Sequence, residues 1–246
     1  MRGSLAEYAS LAMLCSINGR WGIALLMKKL LLITGPEGSG NHLFSKLFTL
    51  HPDVWGWKEI NKTYWISHEQ EPSNKFWLNP ELWLTEDFGD YKYAVSSISV
   101  PYVQNGVTQN PHFNDFIDCA QKAGWEVKVV IIGRDVNILR MQETRLRDKV
   151  TFQAMFDVLE HELEKYNPTF ISHELAYLYG QKYLKALSRD LDFPIAWNDP
   201  MIHEILKEDS NEKYIKYVES HWFDKEVIKA LASTARPGTE WYNRDK

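Results

Sequence analysis

An apolar run that breaks into a glycine-rich turn is the feature that most constrains the fold of this chain. Residues 30–33 are apolar throughout and are soon followed by Gly35-Pro36, the pattern of a short strand buried on both faces of a parallel sheet. After Gly40, apolar residues recur at helical spacing (Leu43, Phe44, Leu47, Phe48 and Leu50). A strand that enters a helix through such a turn directs free backbone N–H groups and the positive end of a helix dipole at an anion. Segment 30–42 therefore predicts a phosphate-binding loop.

The loop departs from that of nucleotide hydrolases. The spacing from Gly35 to Gly40 matches the start of a Walker A motif, but Asn41 and His42 follow in place of lysine and Ser/Thr. That lysine reaches the β and γ phosphates, and the hydroxyl holds Mg²⁺. An ATPase, a GTPase or a standard nucleotide kinase is therefore disfavoured, whereas a glycine turn without any ligand stays open as an alternative.

The composition is that of one soluble enzyme-sized unit. The 246 residues, 44% hydrophobic and 25% charged, suit one large α/β domain. The net charge of −5 argues against a general nucleic-acid binder, so an anionic ligand would need a local cluster of donors. Cys15 and Cys119 are far apart and form neither a disulfide framework nor a zinc pattern. We therefore expect a reducing, cytoplasmic location.

The N-terminal 26 residues read as an extension. Asn18-Gly-Arg20 interrupts their apolar stretches, so nothing is long enough to span a bilayer, and the pattern is a poor fit to a signal peptide. Met27 directly precedes the first strand. We expect residues 27–246 to form a single domain, and residues 1–26 to be either untranslated or a peripheral helix.

Strands and helices alternate along the rest of the chain. Strands are predicted at 91–100, 127–133 and 169–172, and helices at 112–123, 138–147, 152–166, 175–191 and 202–235. This alternation predicts a three-layer α/β/α fold with a central parallel sheet. In such folds ligands bind outside the carboxyl ends of the strands, where the loop 35–40 would lie.

The strand at 127–133 also ends in a residue suited to anions. Arg134 follows it directly, and a guanidinium at this edge of the sheet can clamp a second phosphate with two parallel hydrogen bonds. The alternative is that Arg134-Asp135 caps the next helix.

Taken in order, these segments resemble the sulfotransferase family, which uses 3′-phosphoadenosine 5′-phosphosulfate (PAPS) and has a P-loop-like fold. Segment 30–42 is similar to the family's 5′-phosphosulfate loop, and Arg134-Asp135 to its 3′-phosphate motif. His51-Pro-Asp-Val resembles a segment of the carbohydrate sulfotransferases, and residues 170–174 resemble a Ser-Tyr-Glu strand end. The resemblance implies that the following residues bind the donor: Gly35, Pro36, Glu37, Gly38, Ser39, Gly40, Asn41, His42, Arg134 and Gln142.

The resemblance also implies a reaction. A sulfuryl group would pass from PAPS to a hydroxyl acceptor, possibly a carbohydrate, without a metal. Glu59 matches the family's glutamate base, with His68 or Glu69 in reserve. Ser99 stands where the cytosolic branch has its histidine base before a proline, so the carbohydrate pattern is the closer one.

Two departures leave questions for the structure. Glu37 occupies the position nearest to the usual loop lysine, and Lys58, Lys62 or His42 could supply the missing positive charge. Gln142 replaces the serine that normally follows the arginine by eight residues, and its amide can still donate a hydrogen bond.

Other readings stay open. The aromatic stretch 55–83 could be a wall for a sugar ring, although packing against the sheet accounts for most of it. For the whole protein, the alternatives are a nucleotide kinase with a degenerate loop and a catalytically silent nucleotide-binding protein.

Overall fold

The computed structural model describes residues 28–58, 66–147 and 151–207, with the backbone alone for 145–147. The expected N-terminal extension, Glu59, Lys62 and most of the predicted helix 202–235 lie outside the described residues.

The central strands of the described residues are β1 (Lys28–Pro36), β2 (Val54–Trp55), β3 (Tyr93–Val100), β6 (Trp125–Gly133) and β7 (Thr169–Ser172). They form a fully parallel sheet in the order β2-β3-β1-β6-β7. A short antiparallel hairpin, β4 (Tyr102–Gln104) and β5 (Val107–Gln109), follows β3 and was not predicted from the sequence. The predicted parallel sheet is confirmed.

Helices cover both faces of this sheet, as the alternation predicted. They are α1 (Asn41–Phe48), α2 (Asn74–Leu78), α3 (Phe113–Lys122), α4 (Val136–Arg147), α5 (Gln153–Val158), α6 (His173–Tyr179), α7 (Gln181–Asp190) and α8 (Met201–Ile205). After α5 the chain continues as a π-helical turn (Leu159–Leu163) and a 3-10 turn (Glu164–Tyr166), so the prediction of a helical 152–166 is confirmed in outline. No helix in the described ranges is long and apolar enough to cross a membrane.

One predicted helix is divided in two. The periodic stretch 175–191 forms α6 and α7, which meet at Gly180. Gly180 has φ +48° and ψ −123°, outside the helical region. Because glycine adopts positive φ without a steric penalty, it allows the chain to turn between two apolar helical faces that share one sequence period.

Alternate residues of β1 pack into two separate core layers, one on each face of the sheet. Leu30 and Leu32 pack with α2, α3 and α5, and Leu31 and Ile33 pack with α1, α6 and α7. The first layer contains most of the described aromatic residues of the stretch 55–83, including Phe76, Trp77 and Trp83. These three side chains are at most 5% exposed, so they serve the core rather than a surface.

Candidate anion-binding site

The site lies where the strand order of the sheet reverses. From β1 the chain runs to β2 and β3 on one side, and then crosses to β6 and β7 on the other. Parallel sheets leave a crevice at such a switch point, beyond the carboxyl ends of the strands. The register places Gly35 of β1 beside Ser99 of β3, and Gly133 of β6 beside Ser172 of β7. The predicted loop and Arg134 therefore share one edge.

Two glycines give the loop its shape. Gly38 and Gly40 have φ +84° and +111°, values that residues other than glycine adopt only with backbone strain. The space over each is also occupied. A Cβ on Gly38 would lie 2.8 Å from the Gln142 amide, and one on Gly40 would lie 2.6 Å from Cδ2 of His173. The backbone of the loop therefore lies close to Gln142 of α4 and to His173 after β7 at these two glycines.

Asn41 anchors the start of α1 to the sheet. Its Nδ2 donates to Oγ of Ser99 at 2.9 Å and to the carbonyl of Ile98 at 3.3 Å. In the Walker A motif this position carries the lysine that reaches the phosphates. Here the side chain is directed to β3, so it orients the helix whose N-terminus would face the anion.

Arg134 lies against the loop. Its Nη1 donates to the carbonyl of Gly38 and, at 2.9 Å, to Oε1 of Gln142 two helical turns further along. The alternative predicted for Arg134-Asp135, capping of the next helix, applies to Asp135. Oδ1 of Asp135 accepts from the N–H groups of Asn137 and Ile138 at 2.9 and 3.1 Å, which caps α4. The structure thus joins the segments predicted for the two phosphates.

His173, the first residue of α6, lies against the loop at Gly40 and was not predicted from the sequence to be a site residue. The ring is 2% exposed and lies against Gly40. Burial, together with the charge of Arg134, lowers the pKa of His173 from 6.5 to about 3, so the ring is neutral at neutral pH. Its position directly after β7, at the same edge as the other strand ends, was the available signal.

The turn after β7 is tied to the turn after β6. Oε1 of Glu174 accepts from the N–H of Asp135 at 2.9 Å, and Oγ of Ser172 donates to Oε2 of Glu174 at 3.1 Å. The same Ser172 hydroxyl accepts from the N–H of Leu175 and caps α6. The segment 170–174 therefore helps to hold Arg134 and His173 in place.

Several buried polar atoms in and around the loop have no hydrogen-bond partner among the described residues. They are Oγ of Ser39, Oδ1 of Asn41 and Nδ1 of His173. Each residue is at most 5% exposed. Buried polar atoms normally have a partner, and a polar ligand bound at this edge of the sheet would supply one.

A second polar cluster begins one residue into α1. Oε1 of Glu71 lies 3.2 Å from both Nε2 of His42 and Nδ1 of His68, and Oε2 accepts from Oγ of Ser97 at 2.9 Å. Burial by itself raises the pKa of Glu71, but hydrogen bonds from both histidines, and the charge they can carry, outweigh it and leave that pKa below its ordinary value. Glu71 is therefore an ionised carboxylate in the protein interior. Sequence reasoning missed it, although His68 and Glu71 at i and i+3 of a turn were a signal.

The other candidate charges lie elsewhere. Nζ of Lys58 binds the carbonyl of Pro52 and packs over the ring of Tyr91, 4.6 Å from its centroid, and Tyr91 precedes the amino end of β3. The exposed Glu69 accepts from the N–H of Asn105 in the β4–β5 hairpin at 2.8 Å. Glu37 is buried in the loop at 7% exposure. Of the residues suggested as substitutes for the loop lysine, the structure brings His42 to this edge and places Lys58 away from it, and Lys62 lies outside the described residues.

Comparison with known proteins finds similarity among solved structures. No protein-family model and no curated protein matches the chain. Among solved structures it is similar to that of mouse sulfotransferase SULT7A1 complexed with PAP, at 15% sequence identity and a TM-score of 0.36. The match covers 73% of this chain and 64% of that chain.

Proposed function

We propose that this protein is a sulfotransferase that transfers a sulfuryl group from PAPS to a hydroxyl acceptor. The observation that carries the proposal is the contact of Arg134 with both Gly38 of the loop and Gln142 of α4. PAPS carries a phosphate at the 3′ position of its ribose and a phosphosulfate at the 5′ position. Its recognition requires two anion sites close together, one at a helix N-terminus and one beside an arginine.

Each part of the site has a role in this proposal. The backbone of Gly38 and Gly40 in the loop and the N-terminus of α1 would bind the 5′-phosphosulfate, and Arg134 with Gln142 would bind the 3′-phosphate. During transfer the acceptor oxygen forms a bond to sulfur while the bond from sulfur to the bridging phosphate oxygen breaks. The loop donors would stabilise the charge that develops on adenosine 3′,5′-bisphosphate (PAP) as it leaves. Glu59, the base that the resemblance implies, lies outside the described residues and stays a prediction.

A nucleotide kinase is less well supported. The positions of the Walker lysine and hydroxyl are Asn41, directed to β3, and His42, directed to Glu71. A carbohydrate acceptor draws no support from Trp57, Trp77 or Trp83, because these rings are buried. We retain the glycan as the expected acceptor class on the sequence resemblance alone.

Calorimetric titration with PAP and with 5′-AMP tests the donor site. We expect wild-type protein to bind PAP more tightly than 5′-AMP, because only PAP carries the 3′-phosphate. Arg134→Ala should weaken PAP binding by about 2 kcal/mol, the scale of a lost charge-assisted hydrogen bond, and reduce the preference over 5′-AMP. Arg189→Ala is the matched control, since Arg189 is exposed and pairs with Asp190 at the end of α7. Equal binding of the two nucleotides by wild type, or none of either, would refute the proposal.

A further inference from the structure

The cluster around Glu71 has the arrangement of a base held by a carboxylate. Glu71 is buried, and its Oε1 faces Nε2 of His42, the second residue of α1. The His42 side chain is 26% exposed, against 11% for His68 and 4% for Glu71. Of the three, His42 is the group that a ligand can reach, and it lies at the helix end that closes the proposed donor loop.

The ionised carboxylate fixes the state of the His42 ring. A carboxylate accepts hydrogen bonds and donates none, so Nε2 of a neutral His42 carries the hydrogen and Nδ1 the lone pair. The ring of Trp57 packs on His42, with centroids 4.7 Å apart. Nδ1 is therefore the ring nitrogen of His42 that can accept a proton.

We propose that His42 is the general base of the transfer and that Glu71 is its positioning residue, an inference that rests on the proposed function. Nδ1 of His42 accepts the proton of the acceptor hydroxyl as its oxygen bonds to sulfur. The electron pair of the breaking sulfur–oxygen bond remains on the phosphate of PAP. The imidazolium that forms is stabilised by Glu71, and its proton later passes to solvent. Glu59 is then unnecessary as a base.

The remaining neighbours of Glu71 keep it ionised. In the described part of the chain, His68 of the 3-10 turn His68–Gln70 faces the same oxygen, and Ser97 of β3 donates to the other. Tyr102 of β4 packs against the ring of His68, with centroids 4.9 Å apart. These contacts hold the carboxylate in place from two further elements, so that loss of one donor need not unfold the site.

The test compares two acceptors that differ in their need for a base. With PAPS as donor, methyl glycosides present an alcohol that must lose its proton during transfer, whereas 4-nitrophenol is largely ionised at pH 8. His42→Asn should lower transfer to the glycosides about 100-fold, the scale of general base catalysis, and change transfer to 4-nitrophenol far less. His203→Asn, at an exposed position of α8, is the control and should match wild type.

Glu71→Gln tests the positioning role with the same two acceptors. Glutamine carries no charge to stabilise the imidazolium that forms on His42, so transfer to the glycosides should fall far more than transfer to 4-nitrophenol. A purely structural role would lower both rates equally. If Glu71→Gln fails to fold, as a thermal melt would show, the comparison of His42→Asn with His203→Asn still decides.

The outcomes separate this inference from the proposed function. Failure of wild type to bind PAP refutes the function and the inference with it. The inference alone is overturned if PAP binds but wild type transfers to the glycosides no faster than His42→Asn does. It is also overturned if His42→Asn loses the same fraction of its rate with both acceptors. Loss of glycoside transfer in Glu59→Gln, with His42→Asn at the wild-type rate, would assign the base to Glu59.

Discussion

Replacement of Gly40 by alanine should destabilise the protein through a contact that can be isolated. Gly40 has φ +111° and ψ +24°, where an alanine carries a strain of about 1–3 kcal/mol. Its Cβ would lie 2.6 Å from Cδ2 of the buried His173 ring, and such overpacking costs about 1–3 kcal/mol more. The lower entropy of the unfolded chain offsets about 0.4–1 kcal/mol. We expect a net loss of about 3 kcal/mol.

Gly124 offers a matched comparison. It also has a positive φ, +87°, but no described atom lies within 4 Å of the position of its Cβ. Gly124→Ala should therefore show backbone strain alone and cost about 1 kcal/mol after the entropic offset. The difference of about 2 kcal/mol between the two variants is assigned to the contact of Gly40 with His173.

Urea unfolding followed by far-ultraviolet circular dichroism measures both losses. In thermal melts a loss of 3 kcal/mol corresponds to about 6–12 °C for a domain of this size. The double variant with His173→Ala completes a thermodynamic cycle, and removal of the ring should relieve the Gly40→Ala penalty in part. If Gly40→Ala costs no more than Gly124→Ala, the loop is not confined by His173 and the description of the site is wrong.

Further predictions concern buried ionisable groups. Because the pKa of His173 falls from 6.5 unfolded to about 3 folded, stability should be full above pH 6.5 and decline towards pH 3, by up to about 5 kcal/mol. Urea titrations at pH 7, 5 and 4 should show a shallower decline in His173→Phe. Glu143→Ala should lower the free energy of unfolding by about 2–3 kcal/mol, because this fully buried carboxylate accepts from the N–H and hydroxyl of Thr151. Glu160→Ala, at an exposed position, is the control and should cost little in the same urea assay. The pKa of Glu71 is lowered, so its contribution is present above its ordinary pKa of 4.5 and lost below it, and wild type should approach Glu71→Gln in stability as the pH falls below 4.5.

Local patterns predicted the frame of the molecule well. The strands at 91–100, 127–133 and 169–172 correspond to β3, β6 and β7, because continuous apolar runs ended by turn residues are typical of parallel strands. Arg134 was placed near the loop because both follow strand ends, and parallel strands end at the same edge.

Other parts of the site depend on contacts between distant segments. Glu71 follows a stretch without strand or long-helix periodicity, and its importance comes from His42, 29 residues away, and Ser97 on β3. The burial of His173 depends on the close approach of Gly40. No spacing along the chain records such contacts, because they arise only when the helices pack on the sheet.

The two core layers should differ in their optical properties. On the α3 face, aromatic rings are in contact: Trp77 stacks on Phe116 with centroids 3.8 Å apart, and Trp83 meets Trp125 edge to face at 5.7 Å. Rings this close couple electronically in a chiral setting, so near-ultraviolet circular dichroism would report mainly on this layer. The layer that carries α1 and the loop contains ring contacts between phenylalanine and tyrosine side chains (Phe44–Phe48, Phe48–Phe193 and Tyr93–Phe193), so its unfolding would be followed mostly through the backbone signal in the far ultraviolet. Coincidence of the two transitions would therefore establish that the side of the sheet with α1 and loop 35–40 and the aromatic side unfold as one cooperative unit.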